Sequence, residues 1–265
     1  MNFIVMDLEW NNMRWKNNKL LQNEIIEIGA AKLDEDLKII DTFRVYVKPT
    51  LYKELHPEVV KLTKITTENL QSGFKFSQAL KHLQQWTSDK DNIFCTWGID
   101  DFLELRNNCQ FFNCDISLDW MNKFINLQQY ISDLSTLPAG LQLSLKKAVE
   151  LFDINQDNLE FHNALDDSKL CAKLLIKAYD PDRINDYVSD IMELSEEILH
   201  KKNWNKLPID LSMYPNVDRF KLIPHCKKCG RFAKRISKWS FSKGYLRTTV
   251  RCRKCRYVTN YKTCI

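Results

Sequence analysis

Two carboxylates lie at the end of the first apolar run of the chain. Residues 3–8 include Ile and Val, and such a run is typical of a buried strand. Asp7 and Glu9 are separated by one residue, so on a strand their side chains point to the same face. Buried acids repel each other unless a cation lies between them, and oxygen ligands suit a divalent metal. The pattern therefore indicates either a metal site or two solvated acids at a strand end.

Further acids and a histidine follow downstream, each beside the end of an expected element. Asp100 and Asp101 come after a short apolar stretch, and His162 precedes Asp166 and Asp167 where a helix should begin. If His162 lies on the loop before that helix, it and an acid at the helix start can face one cleft. A histidine placed in this way can accept a proton near neutral pH. The residues alone leave open which Asp of each pair is functional.

Four of the nine cysteines form two Cys-x-x-Cys pairs near the C-terminus. This spacing is typical of a zinc ribbon, in which four thiolates hold one structural Zn²⁺, and two disulfides are the alternative. Gly230 permits a tight turn after the first pair, and a module this small needs the metal for its stability. His225 or Cys264 could replace a ligand. The expected ligands are Cys226, Cys229, Cys252 and Cys255.

Basic residues concentrate in the same segment. Residues 221–265 contain fourteen of the 39 Lys and Arg residues and none of the 34 Asp and Glu residues, so the rest of the chain has a net charge of −9. Aromatic residues alternate with the basic ones, a combination that suits single-stranded nucleic acid. We expect Trp239 and Arg247 to contact such a strand. The alternative is a basic module that binds a protein partner.

A polar stretch at residues 10–23 follows the first carboxylate pair and is expected to form a loop beside it. Arg14 and Lys16 could contact phosphate there, and Trp15 could stack on a terminal base. The alternative is a solvated loop. Three further histidines have no partner motif and are not expected in the site: His56, His82 and His200.

The elements that would position these residues follow an α/β order. Three apolar stretches with short connections predict an antiparallel meander, and later strands alternate with helices. The expected strands are residues 3–8, 24–33, 37–47, 92–97 and 124–131. The expected helices are residues 57–62, 66–70, 76–86, 100–109, 144–152, 163–179 and 184–199. This order describes a mixed five-stranded sheet flanked by helices.

Composition points to a soluble protein with one large and one small domain. The 265 residues are 44% hydrophobic and 28% charged, ordinary values for a globular protein. No apolar run reaches the roughly 18 residues of a membrane span, and no basic stretch precedes an apolar run at the N-terminus. We therefore expect no membrane span, no signal peptide and a cytoplasmic location.

In order, these motifs resemble those of the DEDDh exonucleases of the ribonuclease H-like superfamily. That family has Asp-x-Glu on the first strand, an Asp after the fourth strand, and His-x-Ala-x-x-Asp near the last helix. The matching residues here are Asp7, Glu9, Asp101, His162, Ala164 and Asp167. The run from Trp97 to Asp101, and residues 24–30, are similar to the branch of Eri1-like exoribonucleases and KapD-type proteins. The resemblance selects Asp101 over Asp100 and Asp167 over Asp166.

The resemblance implies a metal-dependent 3′–5′ exonuclease that acts on single-stranded nucleic acid, with RNA favoured. It implies that His162 is the general base, and that two Mg²⁺ or Mn²⁺ ions bind Asp7, Glu9, Asp101 and Asp167. A DNA exonuclease, or a catalytically weak binding or regulatory protein on the same scaffold, is the alternative. We expect an exonuclease domain at residues 1–180, a helical linker at 181–220 and a basic zinc ribbon at 221–265.

Overall fold

The structure, a computed structural model, describes residues 1–12, 21–51, 54–88, 91–114, 118–135, 143–156, 158–191, 194, 224–231, 233–237, 240–242 and 245–264. It divides into two compact units, Met1–Leu194 and Ser195–Ile265. The expected three-part division at residues 180 and 220 stays a prediction. Within the described residues, no helix has both the length and the apolar composition needed to cross a membrane.

The first unit is built on a mixed sheet whose described strands lie in the order β3-β2-β1-β4-β5-β6. The strands are β1 Asn2–Asn12, β2 Asn23–Leu33, β3 Ile39–Tyr46, β4 Asn92–Thr96, β5 Lys123–Asn126 and β6 Ser189–Asp190. The meander β1-β2-β3 is antiparallel, whereas β4 runs parallel to β1 and β5 runs parallel to β4. The predicted α/β fold with a mixed sheet is confirmed. The sixth strand has two residues, too few to show an alternating pattern.

Helices cover both faces of this sheet. They are α1 Pro57–Thr63, α2 Thr67–Gln71, α3 Phe76–Trp86, α4 Asp100–Phe111, α5 Leu127–Leu134, α6 Leu145–Leu151 and α7 Ala164–Ala178. Five of them begin at a polar side chain that accepts a hydrogen bond from a backbone N–H of the first turn. These capping residues are His56 for α1, Thr66 for α2, Asn126 for α5, Ser144 for α6 and Asn163 for α7.

The side chains of β1 alternate between two hydrophobic cores. Ile4 and Met6 pack in the core that contains α3, whereas Phe3 and Val5 pack in the core that contains α7. All four side chains are buried. A strand covered on both faces needs apolar residues at every position, which explains the uninterrupted run at the start of the chain.

Three of the predicted elements are wrong. The strand expected at 124–131 ends at Asn126, because the Asn126 side chain accepts a hydrogen bond from Gln129 N (3.1 Å) and starts α5. The helix expected at 184–199 starts later than predicted: Ile184–Tyr187 is a 3-10 turn followed by β6, Ile191 and Leu194 are helical, and residues 192, 193 and 195–199 lie outside the described residues. The loop expected at 10–23 is strand as far as Asn12 and again from Asn23, since the antiparallel pairing of β1 with β2 continues there.

The second unit contains a small antiparallel sheet centred on one strand. Its described strands are β7 Ala233–Arg235, β8 Ser240–Ser242, β9 Tyr245–Cys252 and β10 Val258–Cys264. The other three each pair with β9. Gly230 has a φ of 71°, the left-handed conformation that glycine adopts without strain, and its N–H donates to Cys226 O at 2.8 Å. The turn after the first Cys pair thus forms as expected.

Candidate active site and zinc site

The first carboxylate pair lies in the middle of β1, which continues to Asn12 instead of ending beside the pair. Asp7 is paired with Gly29 and Glu9 with Glu27, and the register shifts between Glu9 and Trp10. Both Asp7 and Glu9 are partly buried. The two carboxylates therefore share one face of β1, next to a register shift after which the pairing with β2 continues.

Asp101 comes to the same place from the end of β4. Because β4 is parallel to β1, the carboxyl ends of both strands lie at one edge of the sheet, and α4 begins there. Asp101 Oδ1 accepts a hydrogen bond from Leu8 N at 3.2 Å, which ties α4 to β1. Asp101 is 8% exposed, whereas Asp100 is exposed. Asp101 is thus the member of the pair that faces the carboxylates of β1.

The start of α7 supplies the third group. Asn163 caps α7 by accepting a hydrogen bond from Asp166 N at 3.2 Å. His162 has a φ of 66°, and its N–H donates to Asp167 Oδ2 at 2.9 Å. The imidazole is exposed and Asp167 is buried. The left-handed backbone places His162 on the loop and Asp167 in the helix, and both face Glu9.

The three motifs converge on one cluster. Ligand atoms of Glu9, His162 and Asp167 all lie within 4.8 Å of one another. Burial raises the pKa of Asp7 well above its ordinary value, and the charges of Asp101 and Asp167 raise it further. Burial is also the main reason that the pKa of Glu9 rises to about 8, that of Asp101 to about 7 and that of Asp167 to about 6. Without a cation, burial therefore favours the protonated form of these carboxylates.

The cluster fits a divalent metal. Asp167 Oδ1 is buried and has no hydrogen-bond partner among the described residues. A buried carboxylate oxygen left without a partner is costly, and metal coordination would remove that cost. The remaining donors are carboxylate oxygens, which are the ligands that Mg²⁺ and Mn²⁺ prefer.

Glu27 is a functional candidate that the sequence analysis missed. Its side chain is fully buried, lies opposite Glu9 across the strands, and forms an ion pair with Arg44 (Oε1 to Nε, 2.5 Å). Glu27 Oε2 also accepts a hydrogen bond from Ala164 N at 3.3 Å. Burial raises the pKa of Glu27, and Arg44 opposes that shift. Glu27 thus holds the first turn of α7 against β2. The available signal was an acid between isoleucines in a buried strand.

Gly29 explains how closely α7 approaches β2. A Cβ atom at this position would lie 2.2 Å from the backbone carbon of Ala164 and from the nitrogen of Leu165. Real side chains do not tolerate such contacts, so only glycine lets the α7 start lie directly on the strand. The same contact brings His162 and Asp167 over the carboxylates of β1.

We expect Glu27→Ala to destabilise the first unit by about 1–3 kcal/mol, because the buried N–H of Ala164 loses its acceptor. Glu27→Gln should cost less, since the amide oxygen can still accept that hydrogen bond. Chemical denaturation of both variants measures the difference. Equal unfolding midpoints for the Ala and Gln variants would show that the hydrogen bond does not hold the helix start.

The pKa shifts predict how stability depends on pH without added divalent ions. Groups whose folded pKa is raised contribute stability that is complete below their unfolded values, near 4. That stability is lost as pH rises through about 6, 7 and 8, the pKa values of Asp167, Asp101 and Glu9. The Tm should therefore fall over this window, and Asp101→Asn should flatten the decline. A wild-type Tm that rises with pH from about 5 to about 8 would contradict the prediction.

A cavity of about 560 Å³ opens beside Glu9 and His162. Val59 and Leu62 of α1 form part of its apolar wall, and His56 also lines it. His56 Nδ1 accepts a hydrogen bond from Glu58 N at 3.2 Å and so caps α1. His56 was not predicted to belong to the site. A histidine directly before a proline at a helix start was the signal for the cap, but not for the cavity.

Asn11 holds this wall against β1. The buried Asn11 side chain accepts a hydrogen bond from His56 N at 2.9 Å and donates one to Glu54 O at 3.1 Å. The two hydrogen bonds of Asn11, to Glu54 O and from His56 N, therefore set the position of His56 relative to Glu9.

The second unit contains the four-cysteine cluster. The Sγ atoms of Cys226 and Cys255 lie 3.5 Å apart, and those of Cys229 and Cys252 lie 3.6 Å apart. These separations fit a tetrahedral site with Zn–S bonds of about 2.3 Å, and the cysteines are free thiols. A hydrogen bond from the Cys255 backbone N–H lowers the pKa of Cys252 to about 6 and favours the thiolate. His225 is not part of the described cluster, and the side chain of Cys264 lies outside the described part of the structure.

The predicted substrate contacts are mostly outside the described part of the chain. Arg14, Trp15, Lys16 and Trp239 lie outside the described residues. Arg247 is exposed on β9. Their assignment as substrate contacts stays a prediction, as does the assignment of individual catalytic and metal-binding roles.

The chain matches a known protein family over most of the first unit. The family model described as Exonuclease, RNase T, matches residues 4–175. The probable 3'-5' exonuclease KapD of Bacillus subtilis (strain 168) is 30% identical over 110 residues, which cover 38% of this chain and 53% of KapD. The 3'-5' exoribonuclease 1 of Rattus norvegicus is 27% identical over 165 residues, which cover 58% of this chain and 46% of that protein. The chain thus spans about half the length of the curated relatives it matches.

Among solved structures, the chain is similar to the nuclease domain of 3'hExo, a DEDDh family member bound to rAMP. The two are 26% identical with a TM-score of 0.59, and the match covers 66% of this chain and 90% of that domain.

Proposed function

Because the chain belongs to the RNase T exonuclease family, we propose that it removes nucleotides one at a time from the 3′ end of single-stranded nucleic acid. The convergence of acids from β1, α4 and α7 beside an exposed histidine carries the proposal. Burying several carboxylates together is unfavourable, so a cluster with only a structural role is not expected to contain so many of them. The residues concerned are Asp7, Glu9, Asp101, Asp167 and His162.

The four carboxylates would hold two divalent ions, Mg²⁺ or Mn²⁺. The buried, unpartnered oxygen of Asp167 and the raised pKa values of its neighbours support this assignment. When bound, such ions lower the pKa of water and neutralise charge at the phosphate. In this arrangement Asp101 is positioned by Leu8 N and Asp167 by His162 N, so the backbone orients the ligands before any ion binds.

His162 would accept the proton of the attacking water. Its imidazole is exposed to the cleft and lies beside Glu9 and Asp167. The hydrogen bond from its own N–H to Asp167 fixes the loop, so the imidazole is held at the edge of the carboxylate cluster. A neutral imidazole in this position has the lone pair that general-base catalysis requires.

The cavity beside Glu9 would hold the terminal nucleotide. Its volume of about 560 Å³ lies in the range of small-molecule sites, and its wall combines Val59 and Leu62 with the polar His56. An apolar wall suits the face of a base or sugar. Because Glu9 and His162 line the same cavity, a nucleotide there would place its phosphate beside the acids.

RNA is the proposed substrate. The rat relative is named an exoribonuclease, and the 3'hExo nuclease domain is bound to rAMP. DNA as the preferred strand, or binding without cleavage, are the competing outcomes of the test below.

The test uses 20-nucleotide RNA and DNA strands labelled at the 5′ end, with the 3′ end free or blocked. Purified zinc-loaded protein is incubated with Mg²⁺, with Mn²⁺ or without either ion. The proposal expects a ladder that shortens from a free 3′ end only, faster on RNA, and only with an added ion. Internal cleavage, cleavage of the blocked strand, or a free 3′-end strand that stays full length with an added ion would contradict it.

We further propose that the four cysteines of the second unit bind one structural Zn²⁺. Metal analysis of the purified chain should give one zinc per molecule, and Cys229→Ala should lose it and unfold β7–β10, because much of the folding free energy comes from the metal. Cys114→Ser is the matched control, since Cys114 is in the first unit. Full zinc retention by Cys229→Ala, or zinc loss by Cys114→Ser, would contradict the assignment.

A further inference from the structure

The small sheet of the second unit has one apolar and one cationic face. Leu246 and Val250 of β9 are buried. Arg247 and Arg251, which alternate with them, are exposed. Since side chains alternate along a strand, both arginines lie on the face opposite the core.

Neighbouring strands add cations to that face rather than acids. Lys262 of β10 is paired directly with Arg247, and Lys234 of β7 is paired directly with Arg251. Residues 221–265 contain no Asp or Glu, so this face carries four cations and no acid from its own segment. A face of this charge attracts a polyanion.

A cleft of about 420 Å³ opens at one end of this face. Arg247 and Lys262 line it, together with Asn260, Tyr261 and Lys227 of the first Cys turn. Ser237, Thr248 and Thr249 also line it. Cations for phosphate and an amide for hydrogen bonds are groups that hold a nucleic-acid strand.

The spacing distinguishes a polymer from a single phosphate ion. Arg247 and Arg251 are four residues apart on β9, so about 13 Å separates their backbone positions. One phosphate cannot contact both charge pairs, whereas consecutive phosphates of one strand can. A single strand, rather than a duplex, is the occupant that matches the proposed exonuclease substrate.

We propose that this face, defined by Lys234, Arg247, Arg251 and Lys262, binds the sugar-phosphate backbone of single-stranded nucleic acid. The cleft beside Arg247 and Lys262 takes a base or sugar of the same strand. This site goes beyond the proposed exonuclease activity, and it would bind a strand even in a protein that does not cleave.

The experiment measures binding of a fluorescein-labelled 20-nucleotide RNA to full-length, zinc-loaded protein by anisotropy at several salt concentrations. Asp7→Asn is present in every sample, and no Mg²⁺ or Mn²⁺ is added, so the strand stays intact. The face variant is Arg247→Gln with Lys262→Gln. The matched control is Arg253→Gln with Lys254→Gln, which removes two exposed charges of the same module between the second pair of cysteines.

Each lost phosphate contact lowers the slope of log K against log salt by about 0.7 for a single strand, so two contacts should lower it by about 1.4. This corresponds to roughly 25-fold weaker binding at 0.1 M salt. The control should bind nearly as wild type. Equal losses in the two double variants would show bulk attraction only and overturn the proposal. An unchanged slope in the face variant would also overturn it and favour a protein partner.

Zinc content and thermal unfolding separate a lost contact from a misfolded module. Both substituted side chains are exposed, so the face variant should keep its zinc and unfold near the wild-type temperature. If it nevertheless loses zinc, Lys234→Gln with Arg251→Gln provides the second test of the same face, with the same expected change in slope.

Cleavage of a labelled dinucleotide by the wild-type active site is followed separately. Failure of cleavage with face-dependent binding intact would refute the exonuclease and leave this site standing.

Discussion

Asp7→Asn should lower the rate of 3′-end cleavage by on the order of 10³-fold or more, without unfolding the protein. Asp7 is central to the cluster, because the charges of Asp101, Asp167 and Glu9 all act on its carboxylate. The amide keeps the shape of the side chain but removes a charged metal ligand. It also removes repulsion, so the Tm without added ions should equal or exceed that of the wild type. Single-turnover cleavage of the labelled 20-mer and a thermal melt measure the two effects.

Asp100→Asn is the matched control for this prediction. It makes the same chemical change at an exposed position next to the buried Asp101. It should cleave at nearly the wild-type rate. A fully active Asp7→Asn protein would remove Asp7 from the metal site, and an inactive Asp100→Asn protein would show that the choice between Asp100 and Asp101 is wrong.

The resemblance to DEDDh exonucleases of the Eri1 and KapD branch is confirmed by the family match and the relatives. It was readable because the motifs occur in order at the ends of strands and helices. Residues 24–33 and 76–86 could be assigned almost to the residue, as β2 Asn23–Leu33 and α3 Phe76–Trp86. In both, one local force decides the structure: burial on both faces for the strand, and one apolar face for the helix.

Other parts of the fold depend on interactions that a local pattern does not contain. Apolar residues continue on both sides of Asn126, so only its capping hydrogen bond separates β5 from α5. The short strand β6 exists because it pairs with β5, which is far away in sequence. The apolar pattern alone favoured one continuous element in each case, and tertiary contacts decided otherwise.

The candidate site shows the same limit. The sequence order predicted which acids would meet, but not what holds them together. Glu27 accepts its hydrogen bond from Ala164, 137 positions away, and Gly29 is needed only because α7 lies on β2. His56 reaches the cavity through Asn11, which no motif connects to it. Such supporting contacts are set by the assembled fold.

His162→Asn should lower the cleavage rate at neutral pH by about 10²–10⁴-fold, the range for loss of a general base. Asparagine is the informative replacement because His162 has a φ of 66°, and Asn tolerates the left-handed backbone better than Ala. The hydrogen bond from the backbone N–H of residue 162 to Asp167 should therefore survive, and so should the loop. Single-turnover cleavage with saturating Mn²⁺, measured across pH, reports the effect.

The pH profile distinguishes a lost base from a displaced ligand. Hydroxide becomes more available as pH rises, so the deficit of His162→Asn should shrink toward high pH, whereas a variant with a damaged metal site should stay slow throughout. His82→Gln is the control, because His82 packs on the ring of Phe74 at 4.5 Å and lies on α3. It should leave the rate and its pH dependence unchanged. A His162→Asn protein with a wild-type rate at neutral pH would assign proton transfer to another group, and His56, which lines the same cavity, is then the first residue to test.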